Sequence, residues 1–115
     1  MDINKQLLNG TIEQYNDMVV PKIPVFSGND LISEVYFFEP GQVLKTHRHP
    51  NGEQIFIFLK GEGKIKVGEN EFDVSIGSTV FIHAGEWHEI TNGNKQKMTV
   101  VQVTKVNAGD RKSVV

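Results

Sequence analysis

Residues 41–54 read GQVLKTHRHPNGEQ. Glu39-Pro40-Gly41 has turn composition, Gln42 to His49 reads as a strand, and Pro50-Asn51-Gly52 closes it. Successive side chains of a strand point to opposite faces, so His47 and His49 are expected on one face, with Lys45 beside them. Two imidazoles on one face make a donor pair suited to a divalent metal. A His-x-His dyad alone is equally well explained by a surface strand, so its weight comes from the residues around it.

Outward from this stretch the chain keeps a strand-and-turn rhythm. From Pro21 onward it is rich in β-branched and aromatic residues, interrupted by Gly, Asn, Asp and Pro. Strands are expected over 23–26, 31–38, 42–49, 54–59, 63–67, 71–74, 78–83, 87–91 and 97–106. Residues 63–67 and 71–74 should form a hairpin across Gly68-Glu69-Asn70. This pattern predicts an all-β sandwich or small barrel spanning residues 21–107. Residues 1–20 are expected to be an N-terminal arm or a short helix, because Thr11-Ile12-Glu13-Gln14 fits a capping box and Pro21 would stop a helix. Residues 108–115 are expected to be a flexible C-terminal tail.

Composition bounds the function. The chain has 115 residues, one domain by length, with 12 basic and 14 acidic residues and a net charge of −2. Neither nucleic acid nor an anionic membrane is favoured by so balanced a charge. No cysteine is present, which excludes disulfides, thiolate metal sites and a cysteine nucleophile. No apolar run reaches transmembrane length, and the N-terminus lacks the pattern of a signal peptide. The expected class is a cytoplasmic protein that binds a small molecule. In Gln54-Ile55-Phe56-Ile57-Phe58-Leu59 both strand faces are apolar, whereas a lone barrel needs only one. That predicts a homodimer burying the outer face.

Two glycine-punctuated stretches then align. The first is Gly41-x5-His47-x-His49-x3-Glu53, ending at Gly61. The second is Gly77-x5-His83-x-Gly85-x2-His88-x3-Asn92. Together they resemble the paired motifs of the cupin superfamily, and the chain is similar to its small single-domain members. The resemblance implies a double-stranded β-helix, or jelly-roll barrel, holding one divalent transition metal ion (iron, nickel, manganese, copper or zinc). It implies His47, His49 and His88 as metal ligands. His83 stands where the second motif has proline, at a strand end.

The fourth ligand has two candidates. Counting three intervening residues beyond His49 gives Glu53; counting six back from Gly61 gives Gln54. If Phe56 and Phe58 line the interior, alternation turns Gln54 inward with them and Glu53 outward. Gln54 is therefore preferred, with Glu53 as the alternative. Four neutral ligands would leave a divalent ion its full charge, which favours anionic chelating substrates and strong carbonyl polarisation.

Each residue also has a plainer reading. His88 alone would be taken for a hydrogen-bonded core histidine, and Gln54 for a buried amide bonded to backbone. Lys45 is a candidate anion anchor or base, yet lysines near strand starts commonly reach solvent. His83 is a candidate proton shuttle, and a rim histidine fits it as well. The expected function is Lewis-acid-assisted isomerisation or tautomerisation of a small anionic or carbonyl-containing metabolite, such as a sugar acid. The alternatives are a non-catalytic metal or small-ligand binding module, and a metal-dependent dioxygenase. Fold alone does not choose among them.

Overall fold

Alternating side chains and turn residues give ten strands among the described residues of the computed structural model, namely 13–105 and the backbone of 112–113. These are β1 (Lys22–Ser27), β2 (Leu31–Phe38), β3 (Val43–Arg48), β4 (Gln54–Lys60), β5 (Gly63–Val67), β6 (Asn70–Val74), β7 (Thr79–Ile82), β8 (His88–Asn92), β9 (Met98–Lys105) and β10 (Lys112–Ser113). They build two five-stranded sheets, ordered β1-β2-β9-β4-β7 and β10-β3-β8-β5-β6. The pairs β2–β9, β3–β8, β4–β7 and β5–β6 are all antiparallel and nest inside one another. That nesting is one long hairpin rolled up, the jelly-roll arrangement. Its innermost turn is the two-residue loop between Val67 and Asn70, where Gly68 takes φ +59° without a Cβ penalty.

The core lies between the sheets. Tyr36, Phe38, Phe56, Phe58 and Val100 from one sheet pack on Leu44, Ile65, Val67 and Ile90 from the other. Each large apolar side chain buried there stabilises the fold by about 1.5–3 kcal/mol. The inner face of the first sheet changes character along the strands. Cross-strand rows run Phe58–Val100–Tyr36, then Phe56–Gln102–Glu34, then Gln54–Thr104–Ile32. One end of the interior is therefore apolar, and polar groups accumulate towards the other.

Two residues hold the apolar end. Gly61 has φ +86°, and a Cβ there would sit 2.6 Å from the Lys97 carbonyl oxygen. Asn92 is buried, and its Nδ2 donates to the carbonyls of Glu39 (3.0 Å) and Gln96 (2.8 Å). It thereby ties the turn before β3 to the turn before β9.

The expected strands match β1 to β9 with boundary shifts of a residue or two. A tenth pairing, Lys112–Ser113 beside Arg48–His47, had no sequence signal. Residues 13–21 form bends and no helix, while the start of the Thr11–Gln14 capping box lies outside the described residues. Tyr15 in this segment packs edge-on against Phe37 at 5.6 Å, with the Lys97 ammonium 4.3 Å above its ring. Burial, reinforced by the Glu13 carboxylate, raises the Tyr15 phenol above its ordinary range. No helix among the described residues is long and apolar enough to cross a membrane.

Candidate metal centre

The polar end is built by an irregularity in β3. Leu44 pairs with Ile90 and His47 pairs with His88, so three steps on β3 oppose two on β8. Such a β-bulge breaks simple alternation. It lets Leu44 and His47, three residues apart, both point inward and be buried. The same bulge corrects the expectation for Lys45. Strict alternation placed it beside His47, but its side chain is exposed, and its backbone carbonyl meets His47 Nδ1.

His47 and His88 are both 0% exposed, and their rings touch edge to face with centroids 4.2 Å apart. His47 Nδ1 lies 2.8 Å from the Lys45 carbonyl oxygen, and His88 Nδ1 lies 3.0 Å from that of Glu86. A carbonyl oxygen can only accept, so each Nδ1 carries the proton and each lone pair resides on Nε2. An outer carbonyl fixing the tautomer in this way is typical of metal-ligating histidines. His49 is half-buried, with its ring 5.7 Å from His47 and 6.4 Å from His88. Among the described residues no three His, Cys, Asp or Glu side chains are already gathered as a metal cluster.

The register of β4 settles which way Gln54 and the residue just before the strand, Glu53, face. Gln54 is 1% exposed and shares the inner face with buried Phe56 and Phe58, whereas Glu53 is exposed. Phe56 lies 5.4 Å from the His88 ring, so Gln54 and His88 belong to one interior. The Gln54 Nε2 donates to Thr104 Oγ1 at 2.9 Å. Its Oε1 is buried and has no hydrogen-bond partner among the described residues. A buried amide oxygen in that state costs about 1–3 kcal/mol, and a cation would remove the cost. Two Nε2 lone pairs, a third imidazole and an amide oxygen form a neutral donor set that fits a divalent transition metal.

His83 stands elsewhere. It is exposed on the rim, packs against Phe81 at 4.7 Å, and its backbone N–H donates to Glu86 Oε1 at 2.9 Å. A cavity of about 470 Å³ lined by Gly41, Glu62, Lys64, Asn92 and Lys95 lies at the far end of β8 from His88 and shares no residue with the histidine cluster. The residues that sequence reasoning missed are Thr104, Gln102 and Glu34. Gln102 and Thr104 have a sequence signal in their alternation with the apolar Val101 and Val103; Glu34 has none.

Known proteins share this architecture. The TT1209 protein of Thermus thermophilus has 28% identity and a TM-score of 0.76, covering 91% of this chain and 94% of its own. A Klebsiella pneumoniae protein with a double-stranded β-helix domain superposes with TM-score 0.82 at 20% identity, covering 100% and 96% of the two chains. KdgF from Halomonas sp. gives TM-score 0.76 at 16% identity over 86% of this chain and 89% of that one. Comparison with curated proteins gives no match. The family profile described as a cupin domain matches residues 34–104, which spans most of β2 through β9 and every residue of the candidate centre. The chain belongs to the cupin domain family.

Proposed function

We propose that His47, His49, Gln54 and His88 hold one divalent transition metal ion, and that the chain acts there on a small anionic or carbonyl-containing metabolite such as a sugar acid. The observation that carries this reading is the Gln54 amide, buried beside the histidines with its oxygen unpaired. Bound to four neutral ligands, the ion supplies Lewis-acid polarisation of a carbonyl or hydroxy-acid group, suited to isomerisation or tautomerisation. The protein's part is orientation. The carbonyls of Lys45 and Glu86 hold two imidazoles in the correct tautomer, and Thr104 holds the amide. Phe56, fully buried, packs its ring against that of His88. The test is a turnover screen of metal-loaded protein against sugar acids; conversion abolished by His88→Ala supports the enzyme.

A second reading is a non-catalytic metal or ligand binder. The two acid–base candidates, Lys45 and His83, are both exposed, which favours it. Tight binding of an acid without conversion in the same screen would select this reading.

We further propose a homodimer through the outer face of the first sheet. Ile55, Leu59 and Phe81 are 37%, 42% and 46% exposed on β4 and β7. The partly buried Ile57 and Val101 are cross-strand partners on the same face. A patch of this kind is characteristic of a surface that meets a partner.

A further inference from the structure

The inner face of the first sheet carries a file of polar side chains that the candidate ligands do not use. Tyr36 Oη donates to Gln102 Oε1 at 3.3 Å, and Gln102 Nε2 donates to Glu34 Oε1 at 2.9 Å. The Lys22 ammonium lies 3.6 Å from Glu34 Oε2. The file therefore runs from an exposed lysine on edge strand β1 to an amide that is 2% exposed. Gln102 is the cross-strand partner of Phe56, whose ring meets His88. Two residues along β9, on the same face, Thr104 holds Gln54. The file and the histidines line one interior.

An apolar residue at 102 would simply continue the packing of Val100. A buried glutamine is tolerated only when its polar atoms are paired. Here both ends of the amide are spent on orientation: one takes the Tyr36 hydroxyl, the other fixes the Glu34 carboxylate. A carboxylate accepts at about four lone-pair sites and, when ionised, donates at none. Gln102 takes one, and the solvent-facing Lys22 at 3.6 Å is a weak competitor for another. The sites left over suit hydroxyl donors. β4 and β2 are separated by β9, and Glu34 sits one inner-face row from Gln54, so two strand spacings and two residues of rise put their backbones on the order of 12 Å apart. A six-carbon acid with its carboxyl end at the histidines would direct its far-end hydroxyls towards Glu34.

We propose that Glu34, positioned by Gln102, is a specificity-determining acceptor for the far-end hydroxyls of a polyhydroxylated acid whose carboxyl end faces His47, His49, Gln54 and His88. This rests on the metal reading above. The test is calorimetric titration of the nickel-loaded chain with gluconate and with 2-hydroxyhexanoate. The two share carbon count and α-hydroxy-acid end, and differ only in the hydroxyls from C3 to C6. The wild type should prefer gluconate by about tenfold, the worth of one hydrogen bond to a charged group. Glu34→Ala should bring the two acids within about twofold, leaving nickel content and 2-hydroxyhexanoate affinity unchanged. Glu34→Gln, which keeps the volume and an acceptor oxygen, should retain part of the preference and carries the test if the alanine variant does not fold. A wild type indifferent to the hydroxyls overturns the Glu34 assignment alone. So does a preference that survives Glu34→Ala, or an equal loss for both acids. A chain that takes up no nickel overturns the metal reading, and the assignment with it.

Discussion

Gln54 and Thr104 are cross-strand partners on β4 and β9, and the Gln54 amide N–H donates to Thr104 Oγ1 at 2.9 Å. That single bond decides which end of the amide is left for the interior. With Nε2 engaged, Oε1 is the atom that can face a cation. Thr104→Val keeps the shape of the side chain and removes the acceptor. Losing such an outer partner commonly costs about 10–100-fold in metal affinity. We expect a fall of about tenfold by chelator competition, with about 1 kcal/mol lost in stability. Unchanged affinity would mean that Thr104 does not orient the ligand.

The neighbouring pair Glu53 and Gln54 gives a contrast within one dipeptide. Gln54→Ala removes a buried amide, whereas Glu53→Ala removes an exposed carboxylate. Metal retention after dialysis should drop at least about tenfold in the first and stay within about twofold in the second. The reverse order would place the fourth ligand at Glu53.

Charge offers an independent reading of the same position. Gln54→Glu would lower the net charge of the loaded centre from about +2 to about +1. Binding of oxalate to the metal-loaded protein should weaken at least about tenfold, because one charge step at close range is worth several kcal/mol. The metal-free variant should melt below wild type, since it buries a carboxylate. Equal oxalate affinity in both proteins would show that Gln54 does not face the ion.

The jelly roll was legible because alternation and turn composition are local, and β1 to β9 are recovered close to their true bounds. The orientation of Gln54 was legible for the same reason, through its register with Phe56 and Phe58. Lys45 reaches solvent, as lysines near strand starts commonly do, but its turning away from the His47 face was not legible, because a bulge depends on pairing with β8, forty-odd residues away, and nothing in the β3 sequence announces it. The Tyr36–Gln102–Glu34 file was invisible for a similar reason. It joins residues 66 and 68 positions apart, whose adjacency follows only from the register of β2 on β9.

The outer face of the first sheet makes the oligomeric state measurable. Sedimentation at micromolar concentration should give twice the 12.9 kDa chain mass. Ile55→Lys should shift the population to monomer, since an unpaired charge cannot be buried at an interface core without large cost. A wild type that sediments as a monomer rules the dimer out.

Metal content of protein purified without an affinity tag bears most directly on the central claim. The account predicts close to one transition metal ion per chain, lost on His88→Ala while circular dichroism still reports the β fold. Wild-type protein that retains no metal from several metal-supplemented growth conditions would contradict it.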